Sequence, residues 1–329
     1  MSPSLLPAMA AVLSTLATFV TGPSVAAEPY PSRPIAVIVP FPAGGATDLV
    51  ARIVAERMRI SLGQPLIIEN VTGAGGTIAV GRVVRAAPDG YTLSTGDLTS
   101  HVSSSAIFPV AYDVLRDLEP VALLSSAPQL FVGKRDTPAA DLRELIAWLK
   151  ANPDKASMAL PGTFGSGGHL SGLSFQNSTG TRFQFVPYRG GAPAVQDLVG
   201  GHVDLLLIDA SSVLPYIRSG QIKSYGVTTK VRWASAPEIP TIEESGVPLY
   251  FSLWRGLWAP KDTPKEIIAK LNDAVVDALA DPGVRSQLAK LGNEIPPRER
   301  QTSEALRTHH RAEIEKWWPI IKAANIKPE

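Results

Sequence analysis

The chain has 329 residues, 45% hydrophobic and 19% charged, and its 31 basic and 30 acidic side chains leave a net charge of +1. That balance excludes a disordered chain and offers no basic surface for nucleic acid, while the length favours two domains over one hydrophobic core. With no cysteine there is neither a disulfide framework nor a thiolate metal site.

Residues 1–27 carry no acidic or basic side chain, Leu5 to Val20 is apolar, and Val25-Ala26-Ala27 offers small residues where a signal peptidase reads them. The pattern predicts a signal peptide cleaved before Glu28 and an exported, periplasmic protein, although the segment lacks the usual Lys or Arg near its start. Pro7 and Gly22-Pro23 limit any helix here to less than the ~20 residues of a membrane span. No later stretch reaches ~18 uninterrupted apolar residues.

From Ile35 onward short β-branched runs alternate with helical patterns, the rhythm of parallel strands joined by crossover helices. Ile35 to Val39 predicts a buried strand, Phe41 to Ala46 a loop, and Leu49, Val50, Ile53 and Val54 one face of a helix. The unit repeats with Leu66-Ile67-Ile68, the tight loop Gly73-Ala74-Gly75-Gly76 and a helix from Thr77, and a third strand follows the Asp89-Gly90 turn. Val121 to Leu130 is extended and serves as a crossover. Pro138 after Thr137 predicts the start of the next helix. Further strands are expected at 158–160, 183–186, 203–208 and 222–228. The tail is helical from Thr263, where Thr263-Pro264-Lys265-Glu266 combines a capping box with proline at the first helical position. The expected fold class is α/β with two lobes, each a mainly parallel sheet flanked by helices, and a ligand cleft between them. Lobe 1 takes residues 28–128 plus 229–329 and lobe 2 takes 129–228, hinged by crossovers near 121–130 and 222–232.

In such sheets the loops leaving the strand C-termini line the crevice, and helix N-termini there offer free amides to anions. Four of these loops are glycine-rich: 41–45, 73–76, 162–168 and 189–191. Any one of them alone is more often just a tight turn. Gly73-x-Gly75 is followed by Ile78 where a dinucleotide fingerprint needs a third glycine, and no P-loop lysine is present.

Several linked motifs resemble the substrate-binding proteins of tripartite tricarboxylate transporters, the Bug family. They are Val39-Pro40-Phe41-Pro42-Ala43-Gly44-Gly45 with Asp48, Asn70 with Gly73 to Gly76, and Asp89-Gly90-Tyr91-Thr92-Leu93. The series continues through Gly165-Ser166 with His169-Leu170, Val186 to Gly191, Gly200-Gly201 with Val203-Asp204, and Pro240-Thr241 with Glu244-Ser245-Gly246. The resemblance implies a Venus-flytrap periplasmic-binding-protein fold, type II-like, that captures a small organic acid and delivers it to membrane transporter subunits. It further implies a monomer with no cofactor, metal or catalytic residue. By that analogy Phe41, Ala43, Gly44, Gly45, Gly75 and Gly76 hold a carboxylate through amides and ordered water. Thr163, Phe164, Gly165, Ser166, His169, Arg189 and Asp209 then meet its variable end. The chain departs from the family where Pro161-Gly162-Thr163-Phe164 replaces a Ser-x-Gly pattern, so an aromatic or neutral distal group is conceivable there.

Single residues carry blander readings too. Asp48 suits a dipole or capping role, His169 a cap or packing role, and Arg189 a solvated surface charge. Asp209 would repel a second carboxylate and attract an amine. A serine hydrolase built on Ser166 and His169 is the rival, but Thr163 to Gly168 lacks the first glycine of a nucleophile elbow. The five histidines show no metal-site spacing. A sensor feeding a membrane signalling partner would need the same clamp.

Overall fold

A computed structural model describes residues 29–327, so the expected signal peptide and its cleavage point lie outside the described residues. The first half opens with β1 (Ile35–Val39), α1 (Ala46–Leu62), β2 (Leu66–Asn70), α2 (Thr77–Val84), β3 (Thr92–Asp97) and α3 (Ser104–Ile107). The 17-residue β4 (Leu118–Lys134) then leads into α4 (Leu142–Ala151), β5 (Ser157–Pro161), α5 (Gly167–Thr179), β6 (Gln184–Tyr188), α6 (Gly191–Val199), β7 (Leu205–Asp209), α7 (Ala210–Arg218) and β8 (Ile222–Val227). The chain returns through β9 (Ser252–Pro260) and ends in α8 (Lys265–Ala280), α9 (Pro282–Lys290) and α10 (Ser303–Ala323).

One mixed sheet runs through both halves in the order β2-β1-β3-β9-β4-β7-β5-β6, with β8 also on β4. Its two parallel triplets, β2-β1-β3 and β7-β5-β6, are covered by helices on both faces. That is why β1 and β7 are nearly continuous apolar runs instead of alternating ones. Between the triplets lie two antiparallel crossing strands. β4 pairs with β9 from Leu118 to Pro128 and then with β7 and β8 from Gln129 to Lys134, so one strand belongs to both halves. Register shifts after Pro120, Leu123 and Phe131 bend it.

Two apolar cores flank each half of the sheet. Leu271, Val275 and Leu279 of α8 close one core of the first half, and Leu306, Trp317 and Ile321 of α10 close the other. The expected boundary at 228/229 is corrected. Trp233, Ala236 and Ile239 pack in one core of the second half, and Ile242, Val247 and Leu249 in the other. Residues 233–249 therefore belong with the second half, Phe251 already packs against Trp317 of α10, and the return crossing is β9, not 222–232. The segment is broken by prolines and has neither helical nor strand period, so its apolar residues carry no readable direction.

Two helix starts also differ from expectation for a shared reason. The Thr137 hydroxyl donates to the Lys134 carbonyl at 2.8 Å and that of Thr263 to the Pro260 carbonyl at 2.7 Å. Each threonine thus closes a turn behind itself instead of capping the helix ahead. α4 starts at Leu142 with Asp141 as its cap, and α8 starts after Pro264 with no side-chain cap.

Candidate functional site

Five helices, α1, α2, α5, α6 and α7, each follow a parallel strand, so their N-termini lie at the strands' C-terminal ends. Their N-cap positions hold Gly45, Gly76, Ser166, Gly190 and Asp209, and none makes a side-chain capping bond. Ser and Asp are strong capping residues, yet here Ser166 Oγ and Asp209 Oδ1 are buried without any hydrogen-bond partner. Asp141, Asp281 and Thr302, which begin α4, α9 and α10 elsewhere, all cap normally. The first-turn amides on the cleft side are therefore left for something other than the chain itself.

The first anchoring loop is held open from behind. Asp48 is buried in the first turn of α1, where it accepts from the Gly44 amide at 2.8 Å, Arg52 Nε at 2.9 Å and Asn70 Nδ2 at 2.9 Å. Asn70 Nδ2 also donates to the Phe41 carbonyl at 2.9 Å, which ties loop 41–45 to the end of β2. Burial opposes ionisation of Asp48, but these three donors and the Arg52 charge outweigh it and hold the carboxyl below its ordinary range. The Gly44 amide is thus taken by Asp48, Gly45 N donates to the Pro42 carbonyl at 3.3 Å, and Gly76 N to the Gly73 carbonyl at 2.9 Å. The uncommitted amides lie one step on, at Ala46 and Thr47 of α1. Ala43 and Gly44 are exposed at the loop tip, with Phe41 and Gly75 partly covered beside them. Gly44, at φ +82°, has open space where a side chain would project, whereas a Cβ on Gly75 would lie 2.3 Å from Ser104 Oγ.

In the second half the loop before α5 touches the first half directly. A Cβ on Gly165 would fall 2.1 Å from Ile107 Cδ1 and 3.6 Å from Ile326 Cγ2, and one on Gly167 would meet Leu253 and Phe251. The halves are therefore closed on each other at this point. His169 Nδ1 accepts the Gly165 amide at 3.0 Å, and the ring is packed edge-on between Phe164 and Phe185. Burial holds its pKa down to about 4, so the imidazole is neutral and shapes the loop. Ser166 Oγ does not bond to it, which leaves no nucleophile–base pair. Thr163 is exposed and Phe164 half-buried, its ring already in contact with His169. Arg189 is exposed at the end of β6 with no hydrogen-bond or ion-pair partner among the described residues.

Beneath these loops lies a polar group on the crossing strands that the sequence analysis missed. Arg255 of β9 is 3% exposed. Its Nη1 donates to Asn293 Oδ1 at 2.9 Å and to the Leu253 carbonyl at 3.3 Å, while Nε has no partner. Asp97 stands opposite it in the β3–β9 ladder. Asp97 accepts from the amides of Thr99 at 2.9 Å and Ser100 at 3.2 Å, and from Thr47 Oγ1 at 3.2 Å. Asp209 faces Gln129 across the β4–β7 ladder. Burial raises the pKa of both aspartates and the Arg255 charge works against that rise. A lone arginine in the otherwise apolar run Ser252 to Pro260 was the available signal.

A closed cleft between two halves of one sheet, floored by a buried arginine and ringed by uncapped helix N-termini, defines a two-lobed binding protein for a small anion. The chain matches the tripartite tricarboxylate transporter family receptor over residues 50–326 and belongs to that family. It is 36% identical to BugT of Bordetella pertussis, over 92% of this chain and 93% of that one. Among solved structures it resembles MatC of Rhodopseudomonas palustris with bound malate, at 38% identity and TM-score 0.78, covering 89% of this chain and all of that one. It also resembles Rpa4515 of R. palustris with adipate, at 32% identity and TM-score 0.78, covering 91% and 100%.

Proposed function

We propose that this chain is an extracytoplasmic receptor that closes on a small carboxylate and presents it to the membrane subunits of a tripartite transporter, without chemically altering it. The observation that carries this reading is the absence of side-chain caps from the five helix starts at the cleft. Family membership and the acids named with MatC and Rpa4515 support it from outside. Among the described residues no helix is long and apolar enough to cross a membrane. Cleavage before Glu28 and delivery as a monomer are part of the proposal.

In this reading the first turn of α1 and the loop 73–76 hold the carboxylate, with Phe41 and Ala43 covering it. Thr163, Phe164, Arg189 and Asp209 meet its far end. The test is a thermal-shift screen of mono- and dicarboxylates followed by calorimetry, since a ligand bound only by the native state raises Tm in proportion to ln(1 + [L]/Kd). At least one acid should stabilise the protein and be recovered unchanged after incubation. Thr163→Ala and Arg189→Ala should then reorder the preferences among acids. No stabilising acid in a broad panel, or a product lost in Ser166→Ala, would sink the reading.

A further inference from the structure

The polar floor is unevenly paired: Arg255 Nε keeps no acceptor, and on the other side Asp209 and Gln129 keep acceptors without a donor. Asp97 and Asp209 bring two carboxylates and Arg255 one cation, so the group carries one excess negative charge when both are ionised. The two aspartates are not equivalent. Asp97 is fully provided with donors, from two amides and a threonine hydroxyl. Asp209 has none: its Oδ1 is buried and bare, it does not cap α7, and Arg255 lies beyond ion-pair distance with Nη1 committed to Asn293. Its ladder partner Gln129 is 2% exposed and also keeps a buried oxygen, Oε1, without a donor. A buried acceptor without a donor costs its full desolvation, and two side by side point to a donor that the chain does not supply.

We propose that the far end of the ligand is a protonated amine, which donates to Asp209 and Gln129 while the ligand's carboxylate rests on the first-turn amides of the first half. The substrate class is thus an acid with an amine remote from its carboxylate, such as an ω-amino acid, in contrast to the malate and adipate named with MatC and Rpa4515. The proposal rests on the carboxylate-receptor reading above and narrows it. Charge balance supports it. An ammonium cancels the excess negative charge, whereas a second carboxylate would set three anions against Arg255 in a water-poor site. The rival distal partner, Arg189, is exposed at the rim, where screening weakens it.

The experiment is calorimetry on the full mature chain with unbranched acids of three to six carbons in matched sets. Each set comprises an unsubstituted acid, an ω-amino acid, an ω-hydroxy acid and a dicarboxylate. At the preferred length the amino acid should bind about tenfold or more tighter than both its hydroxy and its dicarboxylate counterparts. Asp209→Asn, nearly the same shape, should remove about thirtyfold of that affinity and leave the unsubstituted acid within about threefold. A dicarboxylate or hydroxy acid that binds as tightly as the amine, or an Asp209→Asn variant that weakens all four equally, overturns the amine assignment and leaves the carboxylate receptor standing. Dicarboxylate preference lost in Arg189→Ala would place the distal partner at the rim. If no acid in any set binds, the receptor reading falls and this one with it. The wild-type ranking decides the matter even should the variant fail to fold.

Discussion

The imidazole of His169 supports the loop before α5 by accepting the Gly165 amide, and the buried His101 and His310 with the half-buried His309 are likewise kept neutral. His310 Nε2 lies 2.7 Å from the carbonyl of His101, whose own ring stacks on Trp258 with centroids 4.0 Å apart. Burial holds His169 and His310 down to about 4, lowers His309, and together with His310 pushes His101 well below its ordinary value. In the unfolded chain each takes up a proton near pH 6.5, whereas in the folded chain His169 and His310 resist until about pH 4. Their contribution to stability is therefore complete above about pH 6.5 and is lost as pH falls toward 4. Urea midpoints measured through that window should fall on acidification, and fall less steeply in His169→Gln; a midpoint that does not move would refute the neutral histidines. Residue identity made His169 visible in the sequence, because a histidine after two glycines at a helix start has few roles. Arg255 was passed over because its function depends on Asp97 and Asn293, which are remote in the chain and adjacent only after folding.

Among the elements, the strands and the glycine loops were legible because period and punctuation are local. Helix starts were less so: Thr137 and Thr263 have the right residue in the right place but turn backward onto a carbonyl. The loop 73–76 shows the same limit. Its glycines suggest amides facing an anion, yet the side-chain direction at Gly75 faces Ser104 and Phe108, behind the loop, and φ is +62°. Gly75→Ala therefore reports on loop packing before it reports on ligand. It should cost about 1–3 kcal/mol of stability, part strain and part collision. Ser104→Ala removes the nearest atom and should recover part of that loss in the double variant, since neighbouring substitutions couple. Additive losses in the cycle would mean that the loop relaxes away from Ser104. Gly44, with open space beyond its Cα, is the better position at which to block the cleft itself.

At the scale of the whole molecule, the two-lobed plan followed from two sets of strand–helix units, but the place where the chain returns did not. A proline-broken segment gives no period to read, so 233–249 looked like the start of the first lobe's tail although its apolar side chains close the second. The two crossing strands, β4 and β9, carry the polar floor, and Arg255 is their central charge. Arg255→Leu leaves Asp97 and Asp209 with no cation, raising their folded-state pKa further above the unfolded value of about 3.9. A raised carboxyl favours folding below the unfolded pKa and loses that advantage as pH rises through the folded one. The deficit relative to wild type should thus be about 3–5 kcal/mol at pH 7 and shrink toward pH 4, as read from urea unfolding at both values. A deficit that does not change with pH would show that Arg255 acts by packing alone. The contact of Gly165 with Ile107 and Ile326 has a practical consequence for anyone handling the protein. Ile326 touches the loop before α5, so a bulky label attached at that residue would crowd the loop. Tyr30, whose hydroxyl donates to the Gly90 carbonyl at 2.8 Å, lies at the entry ends of β1 and β3, away from the loops that leave the strands' C-terminal ends. A label near Tyr30 leaves that contact untouched, and binding constants measured on a sample labelled at Ile326 will carry the label's own contribution.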